Sequence, residues 1–277
     1  MTATLSSRAL GLGLRPQHYQ DILHKAPAVD FFEVLSENYM NTGGRPLQML
    51  DRIAERHPIV LHGVSMNVAG TDRLDRAYLR ELKALAQRCQ ARWIGDHLSW
   101  CAVDGVHLHD LLPIPYTERA LRHVAARVDA IQHELGCALV LENPSTYVQF
   151  ADAAFGEAEF LAALVERTGC ELLVDVNNVF VSGSNHGFDP EAWLRAIPWR
   201  SVRYFHMAGH TVLATHRLDT HDQPVCEEVV ALHTLAQRLS GGRPTVLERD
   251  DAMPPFHELV AELRRVAIPA RVRGVAS

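Results

Sequence analysis

The sequence lacks what a membrane anchor, a disulfide framework or a nucleic-acid surface would require. No apolar run approaches the ~18 residues of a membrane span. The N-terminal stretch MTATLSSRALGLGL has one early Arg and an apolar segment broken by Gly11 and Gly13, so it is not a signal peptide. The five cysteines (Cys89, Cys101, Cys137, Cys170, Cys226) are odd in number, scattered and without CxxC spacing. That pattern excludes a disulfide scaffold and points to reduced thiols in a cytoplasmic protein, most of them filling the core. A net charge of -6 leaves no basic footprint, which argues against nucleic acid as a partner. No GxGxxG turn is present, GLGL after Ala9 being too short for that dinucleotide fingerprint. There is also no linker, low-complexity segment or repeat.

What remains is a 277-residue chain, 47% hydrophobic and 22% charged, with ample material for a core and an unusual 16 histidines. Short apolar runs rich in Val, Ile, Leu and Phe fall at 10–14, 31–35, 59–64, 93–100, 138–143, 171–177, 202–208 and 245–249. Such runs suit strands buried on both faces. Amphipathic stretches lie between them. In 118–135, Leu121, Val124, Val128, Ile131 and Leu135 recur at helical spacing, and Leu79, Leu82 and Leu85 do the same. Phe160, Leu161, Leu164 and Val165 repeat the pattern, as do Leu259, Val260 and Leu263, and Asp189-Pro190 reads as a helix start. Eight strands alternating with helices predict parallel pairing and a closed (β/α)8 TIM barrel, an α/β fold. The expectation is one barrel domain over 1–277, with its core at about 10–267 and a short frayed tail after 268.

The densest chemistry lies in 204–222, YFHMAGHTVLATHRLDTHD, which releases His206, His210, His216, Asp219, His221 and Asp222. Asp219 and His221, two apart, share a side if the segment is extended. Active sites of this fold form at the C-terminal strand ends. There the sequence offers Glu33 with Glu37 and Asn38, then His62, then Asp96 and His97, then Glu142 and Asn143. It continues with Asp175, Asn177 and Asn178, then His206, Asp219 and His221, and last Glu248. A lone buried carboxylate or imidazole is more often a hydrogen-bonded structural group than a ligand. Here the third to the eighth strand would each bring one to the same rim, and burial of each is costly unless paired or coordinated. The predicted ligand set is His62, His97, Glu142, Asp175, His206, Asp219, His221 and Glu248. Eight side chains exceed one four-coordinate zinc and suit two or three ions bridged by carboxylates. Iron, manganese and zinc all accept this donor set.

Other polar residues carry weaker readings. Asn67, Asn143 and Asn177 would orient ligands, and Glu33, Asn38 and Asp96 would do so or face substrate. His210 and His216 read first as solvated loop residues, with His210 as an alternative substrate contact. His107 and His109 read as part of a loop over the barrel mouth. His18, His24, His57, His123, His133 and His233 read as surface groups. Arg249 and Asp250 either bind substrate or pair with each other.

The strings GLGLRPQHY, FFEVLSENYM, LHGVSMN, GDHLSW, LENPSTY, DVNNVFVSGSNHGFD, FHMAGH, DTHD and LERD together resemble the DUF692 (UPF0276) family. These are the multinuclear non-haem iron-dependent oxidative enzymes, which include the methanobactin biosynthesis oxidase. The resemblance runs from about Gly11 to about Ala267. It implies a TIM barrel with two or three irons, mixed Fe(II)/Fe(III), and O2 as co-substrate. It further implies a ribosomally made precursor peptide as substrate, modified at cysteine by oxazolone–thioamide or thiooxazole formation or by excision of the β-carbon. A separate leader-binding partner protein goes with that reading. The family's ligands fall on the eight residues named above, with none missing. The resulting expectation places a peptide thiolate on one iron and dioxygen on another, with Glu142 or Asp175 bridging. Hydrogen would leave the cysteine β-carbon, and the catalytic residues would be Glu142, Asp175 and His206.

Two other readings fit the same pattern. One is a metal-dependent hydrolase or sugar isomerase resembling the endonuclease IV and xylose isomerase group, which would turn over without oxygen. The other is an inactive barrel that binds a peptide or partner and would purify without metal.

Overall fold

A computed structural model describes residues 5–25 and 27–267. The expected frayed tail, 269–277, lies outside them. Eight parallel strands close into a barrel: β1 (Leu10–Gly13), β2 (Phe31–Leu35), β3 (Ile59–His62), β4 (Ile94–His97), β7 (Leu139–Glu142), β8 (Glu171–Asp175), β9 (Val202–Met207) and β12 (Thr245–Leu247). The strand β12 pairs with both β9 and β1, which completes the ring. Two small antiparallel hairpins stand on the loops: β5 (Trp100–Val103) with β6 (Val106–Leu112), and β10 (Thr211–Val212) with β11 (Arg217–Leu218).

The helices are α1 (Tyr19–Lys25), α2 (Arg45–Ala54), α3 (Arg76–Cys89), α4 (Glu118–Leu135), α5 (Glu157–Thr168), α6 (Val176–His186), α7 (Pro190–Ala196), α8 (Glu227–Ser240) and α9 (Phe256–Ala267). Their ends follow from local chemistry. Thr117 caps α4 by accepting from Ala120 N, and Gly136, left-handed at φ 80, ends it. Asp189 caps α7 ahead of Pro190, as the sequence predicts.

Strand ends differ from expectation at two places that matter. The run 93–100 leaves the barrel wall after His97, and Trp100 begins the β5–β6 hairpin instead. The run 171–177 stops at Asp175, whose carboxylate accepts from Asn178 N and starts α6. Asn177 and Asn178 therefore lie in a helix's first turn, because an aspartate is a good N-cap.

Apolar side chains fill two separate cores. The larger lies between the helices and the outer face of the barrel. The smaller plugs the interior with Phe31, Val60, Val140, Leu173, Tyr204 and Val246. Strands covered on both faces explain the continuous apolar runs. Cys89, Cys101 and Cys170 are buried, Cys226 is half-buried, Cys137 is exposed, and all five are free. Among the described residues no helix is long and apolar enough to cross a membrane.

Candidate metal centre

Side chains two apart on a strand point the same way. One step beyond the interior plug, that rule turns Phe31 into Glu33, Val60 into His62 and Val140 into Glu142. It likewise turns Leu173 into Asp175, Tyr204 into His206 and Val246 into Glu248. In β4 the corresponding pair is Gly95 and His97. A Cβ on Gly95 would stand 3.0 Å from His62 Nδ1 and 3.2 Å from the Val140 carbonyl, so glycine leaves room for the imidazole. The polar layer is thus the next storey of the barrel interior.

Its atoms crowd together. His62 Nε2 and His97 Nε2 lie 2.9 and 3.2 Å from Glu142 Oε2. His206 stands between Glu33 Oε1 (2.7 Å from Nε2), Glu248 Oε2 (3.1 Å from Nδ1) and Glu142 Oε1 (3.6 Å from Nδ1). His221 Nε2 meets Asp219 Oδ1 at 2.7 Å, and its Nδ1 lies 3.3 Å from Glu248 Oε2. Among the described residues, four three-residue groups have donor atoms within 4.8 Å of one another: His62, His97, Glu142; Glu33, His206, Glu248; Glu142, Asp175, His206; and Asp175, His221, Glu248. Neighbouring groups share Glu142, His206, Asp175 or Glu248, as bridged ions would require.

The fit to metal rests on unsatisfied atoms. Both ring nitrogens of His62 and of His206, Glu142 Oε2, Asp175 Oδ2 and His221 Nε2 are buried without a hydrogen-bond partner. Native interiors rarely leave so many orphans in one place. Two ligand atoms each about 2.1 Å from one ion and about 90–110° apart stand about 3.0–3.4 Å from each other. The observed separations of 2.7–3.6 Å bracket that spacing. His97 Nδ1 donates to the Gly63 carbonyl (3.2 Å), which turns the Nε2 lone pair toward the cluster.

Residues 9–270 match the family described as RiPP precursor modification enzyme MbnB/TglH/ChrH. The chain belongs to this family. A UPF0276 protein of Rhizorhabdus wittichii is 51% identical over 262 residues, 94% of each chain. A UPF0276 protein of Caulobacter vibrioides is 50% identical over 254 residues, 91% of each chain. Among solved structures, D-psicose 3-epimerase of Clostridium cellulolyticum superposes with a TM-score of 0.62 over 94% of this chain and 95% of that one. At 11% identity that likeness concerns the barrel alone.

Charge in this family member's site is balanced internally. Burial would lower the His62 pKa, but Glu142 overrides it and holds it at about 9. Burial, then Glu142 and Asp219, push the Asp175 carboxyl up to about 8. Burial also favours neutral Glu142 and Glu248, yet His97 and His206 hold the first, and His206 and His221 the second, below the usual carboxylate range. His206 and His221 are held well above theirs, against burial, by Glu33 with Glu248 and by Asp219 with Glu248. These shifts favour the protonated forms of His62, Asp175, His206 and His221, and a cation must displace those protons. Lowering the pH strengthens the proton's competition, so metal affinity is expected to fall by about tenfold per pH unit for each proton displaced. Metal titrations between pH 6 and 8 measure this; an affinity flat across that range would contradict it.

Other expected residues divide sharply. Asn143 exchanges bonds with the Asp175 backbone, its Nδ2 donating to Asp175 O (3.1 Å) and its Oδ1 accepting from Asp175 N (3.0 Å). Asn177 Nδ2 donates to Asp219 Oδ1 (2.7 Å). Asp96 is buried, accepts from His97 N and Met66 N, and is pushed to about 7 by burial and by Glu37. Asn38 is exposed and lines the mouth. Asn67 instead holds the β5–β6 hairpin, its amide bonded to the backbone of Cys101 and Ala102.

His210 is no solvated loop residue: it is buried, with Nδ1 on Asn177 Oδ1 (2.8 Å) and Nε2 facing Arg217 Nη1 (3.0 Å). Arginine can only donate, so His210 Nε2 accepts and its Nδ1–H donates, making a chain from Arg217 through His210 and Asn177 to Asp219. His216 is exposed as expected. His107 and His109 sit on strand β6 rather than in a loop, and both line the cavity. His18 and His233 are buried, His18 tilted against the ring of Phe256 and His233 perpendicular to that of Phe205. His57 is half-buried against Phe32, while His24, His123 and His133 are exposed. Arg249 and Asp250 do not pair: Arg249 binds Glu262 (2.8 Å), and Asp250 takes Arg15 and His221. His221 has φ 49, so Asp219 and His221 converge through a left-handed kink rather than an extended run. Glu33, expected only beside the ligands, reaches His206 directly. Its place two residues after an inward Phe was the available signal.

The site opens into a cavity of about 1220 Å³, lined among others by Arg15, Glu37, Tyr78, His109 and Tyr147. Among the described residues, the exposed large apolar side chains lie on segments around its mouth: Val103, Val106 and Leu108, then Tyr147, Val148 and Phe150, then Val212 and Leu213.

Proposed function

We propose that the chain, working as one barrel domain, is an iron- and O2-dependent oxidase that modifies a cysteine of a ribosomally made precursor peptide. Membership of a family of RiPP precursor modification enzymes supports a peptide substrate. The observation that carries the metal reading is the group His62, His97, Glu142 within the buried polar layer. Two imidazoles and one carboxylate with open positions are the donor set of non-haem iron oxygenases. Further ions would be held by Glu142, Asp175 and His206 and by Asp219, His221 and Glu248, giving two or three in all. Glu33 stands close enough to His206 to act with them.

Iron, when bound, supplies the redox and dioxygen chemistry that no side chain has. The chain's own residues do the rest. Glu142 turns one oxygen to His62 and His97 and the other toward His206, so it would bridge the two halves of the site. Asn143 and Asn178 fix the backbone and the orientation of Asp175. The interior plug beneath excludes water from one side. The cavity above is large enough for an extended peptide segment. Apolar side chains around the mouth suit contact with that peptide and with a separate leader-binding protein.

The test is reconstitution with ferrous iron under nitrogen, followed by Mössbauer spectroscopy and metal counting. A cysteine-containing peptide encoded beside the gene, with any partner protein, is then added with and without oxygen. An oxygen-dependent mass change at cysteine is expected. Tight zinc with oxygen-independent turnover of a sugar would instead establish the isomerase reading.

A further inference from the structure

The plug below the polar layer holds a feature that packing does not account for. Tyr204 is 0% exposed, yet its hydroxyl donates to Glu33 Oε2 at 2.6 Å, and Glu33 Oε1 lies 2.7 Å from His206 Nε2. A phenylalanine would fill the same space without burying a polar group. On its other side, the Tyr204 ring lies 5.2 Å from the indole of Trp93 and 5.4 Å from the His206 ring, centroid to centroid. Trp93 closes the opposite end of the barrel. It lines a surface depression of about 320 Å³ with Lys83, Cys137 and Arg203, and its buried Nε1 has no hydrogen-bond partner. A phenol bonded to a carboxylate, with an indole in ring contact beyond it, thus spans the barrel from the polar layer to the far surface.

We propose that Tyr204 and Trp93 form an electron-transfer relay that carries an oxidising equivalent from the metal centre through the barrel to its opposite face. The relay rests on the iron reading above. Its role is to drain the oxygen-activated iron centre when no peptide is bound, sparing the ligands. In the first step Tyr204 gives one electron to the oxidised iron centre and its phenolic proton to Glu33 Oε2, leaving a neutral tyrosyl radical. The hydrogen bond to Glu33 makes that loss possible in an interior where a charged phenol radical would be costly. In the second step Trp93 gives one electron to Tyr204 as the proton returns from Glu33. The Trp93 radical cation is then reduced at the surface by a one-electron donor such as ascorbate or a thiol. Without a donor it loses its proton and combines with dioxygen. Successive ring contacts replace one long electron jump by two short ones, so the route outcompetes damage at the site.

The experiment exposes iron-loaded, peptide-free protein to oxygen without reductant, with iron content and oxygen uptake measured in parallel. Freeze-quench electron paramagnetic resonance and peptide mass spectrometry give the readouts. A transient tyrosyl signal and oxygenated Trp93 are expected in the native protein. Tyr204→Phe should lose both while keeping its iron, with oxidation moving to residues around the cavity. Trp93→Phe, which leaves the Glu33 contact intact, should lengthen the tyrosyl lifetime several-fold. Protein that binds iron and consumes oxygen but leaves Trp93 unmodified would overturn the relay alone. So would equal Trp93 oxidation in Tyr204→Phe, or an unchanged radical lifetime in Trp93→Phe. Protein that takes up no iron would overturn the metal reading and the relay with it.

Discussion

Glu142→Ala is expected to empty the centre of most of its metal and to lower peptide modification by well over 100-fold. Residues that merely orient a ligand cost 10–100-fold in affinity or activity when removed. Glu142 does more, because it faces His62, His97 and His206 and belongs to two of the four candidate groups. Its loss leaves those three imidazoles buried around a gap. Glu142→Gln separates charge from volume: it keeps the bond from Asn178 Nδ2 (3.3 Å) but removes the negative charge that would bridge ions. Both variants should therefore lose metal, with the glutamine form retaining more of the native stability. Metal counting by mass spectrometry beside circular dichroism checks this. A Glu142→Ala protein with undiminished metal would remove the central bridge from the proposed site.

Chelation is expected to lower the melting temperature by about 5–10 °C. Glu33, Glu142 and Asp175 are buried and Glu248 is nearly so, within a few ångströms of one another. The metal-free protein holds that layer together by keeping Asp175 neutral and His62, His206 and His221 charged. A ligand present at 100 times its dissociation constant adds about 2.7 kcal/mol to the folded state. For a chain of this size each kcal/mol is worth about 2–4 °C. The shift should be reversed by ferrous iron, and it should shrink in Glu142→Ala, which has less metal to lose. Identical melting of treated and untreated native protein would show that no stabilising ion had been bound.

The barrel could be read from the linear chain because parallel strands covered on both sides demand apolar runs of four to six residues. Every expected run contains a strand, from Leu10–Gly13 to Thr245–Leu247. Helix α4 has the bounds that its heptad-like spacing predicts. The polar interruptions His62, His97, Glu142, Asp175 and His206 were visible for the same reason: an ionisable group inside such a run is expensive, so it stands out.

What could not be read were the contacts made across the barrel. His210 looks like a loop residue in sequence, and only folding brings Asn177 of α6 and Arg217 of β11 to its two ring nitrogens. Tyr204 reads as one more apolar strand residue until its hydroxyl meets Glu33, 171 positions away. His18 and His233 likewise reveal their burial only when their phenylalanine partners arrive.

The sequence by itself determined the barrel, the inward period of two and most of the buried polar layer, because strand alternation and the cost of burying charge are local rules. The tertiary structure alone decided which donors share a neighbour, that Glu33 joins His206, and that Asp219 is steered by His210 through Asn177. Those facts depend on register between strands and on side chains meeting across the axis, for which a single chain of letters carries no rule.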